Sequence, residues 1–104
     1  MAKYDEKRLP YETQDRLMSS LCKTLHGLGG PTQIKHFLKD LLNRKERMMI
    51  MRRLLIAELL EQGYGYGAIK ERLRCGDCTI ARVQRLLNFG RGGYKLAIQL
   101  RRKK

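Results

Sequence analysis

Residues 66–88 read YGAIKERLRCGDCTIARVQRLLN, and the period of this stretch decides the fold. Ile69 and Leu73 stand four residues apart, and Ile80, Val83 and Leu87 follow at steps of three and four, so each half carries one apolar stripe of helical period. Residues 74–76 break the period. The pattern predicts two short helices joined by a tight turn, a helix-turn-helix. Asp77 precedes the second apolar stripe and can accept a hydrogen bond from a free first-turn N–H, which makes it the expected N-cap. Opposite that stripe lie Cys78, Arg82 and Arg85, flanked by Thr79 and Ala81. Small side chains let a helix approach base edges, and guanidinium groups meet phosphates or guanine, so this surface suits a DNA major groove. The plain alternative is two packed amphipathic helices with a solvated outer face.

Charge argues for the first reading. The 104 residues carry 23 Lys and Arg against 10 Asp and Glu, a net charge of +13. The excess is uneven: residues 63–104 hold eleven basic and two acidic side chains. A localised positive excess is the electrostatic footprint of a polyanion partner, and it coincides with the helix-turn-helix. For Arg101, Arg102, Lys103 and Lys104 alone, solubility is explanation enough. The competing function is a non-specific nucleic-acid-binding or architectural protein, in which charge does the work and the helices are structural.

Outward from this stretch, residues 63–67 alternate Gly and Tyr and form a linker and candidate hinge, since glycines weaken helix. Before the linker, Asn43 followed by Glu46 makes a capping box that starts a long helix. Ten of the thirteen residues from 48 to 60 are apolar, so that helix must be covered on nearly every side. A chain this short cannot supply the cover alone, and a second copy is expected to. Met48, Met49 and Met51 also admit a third reading, an adaptable protein-docking surface. Further back, a helix from about Thr13 carries Leu17, Leu21, Leu25 and Leu28 and ends at the glycines 27, 29 and 30. Pro31 then opens another with Ile34, Phe37, Leu38, Leu41 and Leu42. The expected division is a flexible arm over 1–12, a helical dimerisation region over 13–62, and a DNA-binding region with a basic tail over 63–104. After a glycine-rich turn, a short last helix is expected to pack through Leu96 and Leu100.

The spacing of Ile69, Lys70, Leu73, Gly76, Thr79, Ile80 and Arg82 resembles the DNA-reading segment of the Trp repressor. The run from Arg82 through Leu87, Asn88, Phe89 and Gly90 to Gly93 and Tyr94 is more similar still to the uncharacterised Trp-repressor-like proteins of bacteria. The likeness covers roughly residues 37–97. It implies an all-α fold, an intertwined homodimer whose N-terminal helices interlock, and two reading helices on one face. It also implies transcriptional regulation of repressor type in a bacterium. On this reading Lys70, Cys78 and Ala81 face base edges, Thr79, Arg82 and Arg85 anchor to phosphates, and Arg74, Arg91 and Lys95 add attraction. The resemblance further implies a small-molecule corepressor between the long helix and the reading helix, held by Arg82 and either Arg52 or Arg53. Two departures matter. The family turn usually has Gly where this chain has Arg74, so Gly76 is expected to take the strained angle. The family tryptophan pocket has Gly where this chain has Val83, whose branched side chain fills space an indole ring needs. Tight tryptophan binding is therefore not expected, and a smaller carboxylate ligand is left open.

Other chemistries fare poorly. Cys75 and Cys78 form a CxxC, but no second pair or His-x3-His completes a zinc site, leaving only a Cys3His set with Cys22 and His26. A redox pair at a helix N-terminus is chemically sensible; two free thiols in a turn is the simpler reading. No Ser-His-Asp or paired-carboxylate arrangement is present, so no enzyme is expected. Three cysteines, an uncharged-run-free N-terminus and no apolar run long enough to span a bilayer point to the cytoplasm.

Overall fold

The computed structural model describes residues 9–102, and among them it contains six helices and no strand. The first eight residues, most of the expected arm, and the last two of the basic tail lie outside the described residues. Two compact units divide the chain, one ending at Leu41 and the other beginning at Leu42.

The first unit holds α1 (Tyr11–Gly27) and α2 (Pro31–Leu41). Helix α1 starts two residues ahead of the sequence expectation, behind Pro10, whose carbonyl accepts from the Gln14 N–H at 3.1 Å. Gly29, at φ 95°, makes the left-handed turn that a side chain would strain, and Pro31 opens α2 where its missing N–H costs nothing. Neither helix buries a single residue completely, and Leu17 and Met18 on α1 are more than half exposed.

The second unit is built on α3 (Arg44–Glu61), against which α4 (Tyr66–Leu73), α5 (Asp77–Phe89) and α6 (Gly93–Arg102) all pack. The capping box is formed as the sequence requires: Glu46 N–H donates to Asn43 Oδ1 and Asn43 N–H to Glu46 Oε1, each at 2.9 Å. Helix α3 closes in a Schellman motif at Gly63 (φ 91°), where Gly63 N–H reaches Leu60 O and Tyr64 N–H reaches Leu59 O, both at 3.0 Å. The Tyr64 ring packs against the core with the Arg72 guanidinium 4.5 Å from its centroid.

The core is small. Ile56 and Ala57 come from α3, Ile69 from α4, Ile80, Val83 and Leu87 from α5, and Ile98 from α6. Each fully buried aliphatic side chain contributes about 1.5–3 kcal/mol, so the unit rests on a handful of contacts centred on α5. Helix α6 departs from expectation: it packs through Ile98 and half-buried Tyr94, leaving Leu96 and Leu100 more than half exposed. Its far end is held by Arg101, whose Nε donates to Glu58 Oε2 of α3 at 2.5 Å. Arg101 thus joins two helices and is not merely part of a solvated tail.

Candidate nucleic-acid interface

Helix α4 ends where the Arg74 N–H bonds to Lys70 O at 2.8 Å, with Arg74 itself in the left-handed region at φ 52°, ψ 51°. The strained angle therefore falls on Arg74 and not on Gly76, which is extended (φ −91°, ψ 165°) and serves as the N-cap of α5. Asp77 becomes the first helical residue, and no side chain caps the helix. The physical reason is the turn's length. Once Arg74 reverses the chain, two residues carry it to the start of α5, and the extended position before the helix is reached at Gly76. Freed from the cap, the Asp77 carboxylate pairs with Lys70 Nζ, 3.2 Å from Oδ1 and 3.4 Å from Oδ2.

At about 100° per residue, Ile80, Val83 and Leu87 point one way and Cys78, Ala81, Arg82 and Arg85 the opposite way. The burial follows this division: the first three are core, and the other four are exposed. Thr79 is half-buried at the edge of that face. Tyr66 at the start of α4 donates its hydroxyl proton to Gln84 Oε1 at 2.5 Å, fixing the two helices to each other beyond their shared core. Lys70, Arg74, Arg91 and Lys95 are all exposed. Nothing in the sequence period marked Tyr66 or Gln84 as partners, because their contact spans eighteen residues and depends on the crossing of α4 over α5.

A cleft of about 370 Å³ opens between α3 and α5, lined by Arg53 and Arg82 together with Val83, Thr79 and Tyr94. Arg52 does not line it, being about 100° further round α3. Val83 lines the cleft while remaining only 2% exposed, its branched side chain packed mostly into the core. Tyr94 also lines it, a residue the sequence had marked only for resemblance.

Cys75 is half-buried against the core and Cys78 exposed on the first turn of α5, one on each side of the N-cap. Among the described residues no three His, Cys, Asp or Glu side chains gather to hold a metal ion. Among the described residues no helix is long and apolar enough to cross a membrane.

The architecture is that of a helix-turn-helix protein, with two short helices set on a long one and the outer face of the second open to solvent. The chain belongs to the Trp repressor family, whose model, described as Trp repressor protein, matches residues 16–102. It is 34% identical over 62 residues to the uncharacterised protein YerC of Bacillus subtilis strain 168, a match spanning 60% of each chain. Its fold is similar to a crystal structure from Staphylococcus aureus described provisionally as a Trp repressor, with a TM-score of 0.73 over 98% of both chains at 24% identity.

Proposed function

We propose that the protein is a homodimeric, sequence-specific DNA-binding regulator of transcription that acts in the bacterial cytoplasm and inserts α5 into the major groove. The observation that carries this reading is the outer face of α5, where Cys78, Ala81, Arg82 and Arg85 stand exposed opposite a fully buried stripe. The face is small where bases would be met and cationic further along. Membership of a family described as Trp repressor protein favours the same reading. Lys70, Cys78 and Ala81 approach base edges, Thr79, Arg82 and Arg85 hold phosphates, and Arg74, Arg91 and Lys95 add long-range attraction.

The second copy covers α3. Met48, Met49, Ile50, Met51 and Leu55 are each more than a third exposed, and α1 and α2 bury no residue of their own. A monomer with this much apolar surface on its central helix is unfavourable in water. The cleft between Arg53 and Arg82 offers two guanidiniums to a small carboxylate ligand, whose binding would set the angle of α5 against α3. Arg82 is then shared between ligand and phosphate and does not serve both at full strength.

Selection of duplexes from a random pool at about 150 mM salt tests the reading. A two-fold symmetric motif with half-sites about one helical turn apart is the expected result. Retention of DNA without enrichment, with or without added metabolites, would favour the non-specific coat. Arg85→Ala should weaken binding to all sequences alike, and a change at Ala81 should alter sequence preference.

A further inference from the structure

Asp77 is the one acidic side chain between residue 72 and the C-terminus, and it opens α5. Ten basic side chains share that segment. In a helix that met DNA by charge alone, a carboxylate at the leading end would repel phosphate. First-turn side chains lean towards the N-terminal tip of a helix, the end that meets base edges when a reading helix enters the groove. Ala81, one turn on and exposed, adds no bulk that would hold Asp77 away from a base.

The partner of Asp77 sharpens the point. Lys70 Nζ lies 3.2 Å from Asp77 Oδ1, and the two side chains are 42% and 64% exposed. The pair thus presents a donor and an acceptor side by side to solvent. The major-groove edge of a C·G base pair presents the complement, the N4 amine of cytosine beside O6 of guanine, about 2.9 Å apart because they bond to each other.

We propose that the Lys70–Asp77 pair reads one C·G base pair in each half-site, Asp77 accepting from cytosine N4 and Lys70 donating to guanine O6. This rests on the proposed role of α5 as the reading helix. Reversing the base pair sets the carboxylate against O6 and the ammonium against an amine, and T·A sets the carboxylate against O4. A·T keeps a donor for Asp77 and an acceptor for Lys70, so adenine ranks second. The simpler role for Asp77 is a negative charge favouring the helix N-terminus, which would be blind to sequence.

Duplex selection with the wild-type protein, Asp77→Ala and Asp77→Asn separates these roles. The wild type is expected to enrich a motif with cytosine at one position of each half-site and adenine next. Asp77→Ala should lose preference at that position alone and bind the wild-type motif about tenfold more weakly, despite its greater positive charge. Asp77→Asn should turn the preference to adenine, which an amide meets through N6 and N7. The other motif positions report that both variants still fold. If Asp77→Ala binds every duplex more tightly with its motif unchanged, the carboxylate is only a helix-start charge and the inference fails with the reading helix intact. If the wild type enriches no motif, the reading helix itself fails.

Discussion

Arg74→Gly separates the energetic cost of the turn from its use. Arg74 is the only non-glycine among the described residues with positive φ, and its values of 52° and 51° lie in the left-handed region. An L-residue there is disfavoured by about 1–2 kcal/mol through the approach of Cβ to the carbonyl oxygen. Glycine removes that clash, but it also enlarges the unfolded ensemble, which offsets about 0.4–1 kcal/mol. The bond from residue 74 N–H to Lys70 O is a backbone bond and survives. A net stabilisation of about 0.5–1 kcal/mol remains, which for a chain near 100 residues raises Tm by about 2–5 °C at fixed protein concentration. The same change removes a guanidinium from the edge of the reading helix. A lost phosphate contact lowers the log–log salt slope of DNA binding by about 0.9 per subunit, and Arg74, which adds attraction without holding a phosphate, should lower it by a fraction of that. Scanning calorimetry and salt-dependent fluorescence anisotropy measure the two effects, and Arg74→Lys, which keeps strain and charge, should change neither. A lower Tm for Arg74→Gly would refute the strain argument. A raised Tm with an unaltered salt slope would remove Arg74 from the interface.

Three further outcomes follow from the packing. Gly90→Ala should destabilise the second unit by about 1–3 kcal/mol in urea unfolding, because an added Cβ would fall well inside contact distance of Leu86 O, to which Gly90 N–H already bonds at 2.8 Å; an unchanged midpoint would show that the α5–α6 turn relaxes freely. The hydrogen bond from Arg101 holds the Glu58 carboxyl below its ordinary range. With its folded value depressed, the pair's contribution is present above the unfolded value of about 4.3 and lost as pH falls through the lowered one, so the deficit of Glu58→Gln, no more than about 1 kcal/mol for this partly exposed pair, should vanish in acid. A deficit that persists at pH 2 would assign it to packing instead. Calorimetry with L-tryptophan should give no micromolar binding, since the Arg53–Arg82 cleft is lined by the branched side chain of Val83; a micromolar isotherm would mean that α3 and α5 part far enough to admit an indole.

Which features the sequence made legible follows from how local their causes are. The capping box of Asn43 and Glu46 and the stripe of Ile69, Ile80, Val83 and Leu87 depend on neighbours within a turn or two, and they stand as the residues dictate. The face of α6 was harder to read, because Leu96, Ile98 and Leu100 alternate along ten residues and each is a plausible anchor. Only packing against α3 and α5 selects Ile98. The choice between Arg52 and Arg53 was likewise a matter of angle about α3, fixed by where α5 crosses it.

The turn is where local preference misled, and the consequence reaches the surface chemistry. Aspartate is a favoured N-cap and glycine a favoured left-handed residue, so preference alone assigns Asp77 and Gly76 to those places. The chain instead puts the left-handed angle on Arg74, two residues before Gly76, and the N-cap on Gly76, one residue before Asp77. An N-cap carboxylate folds back on the N–H groups of its own helix and is spent there. At the first helical position the same carboxylate points outward, keeps two acceptor oxygens in solvent and meets Lys70 from the preceding helix. The donor–acceptor pair proposed to select a base therefore exists because the strained residue sits three positions before Asp77. Arg74→Gly keeps that angle while relieving its cost, so it should leave the base preference at the Asp77 position untouched even as it weakens binding to every sequence.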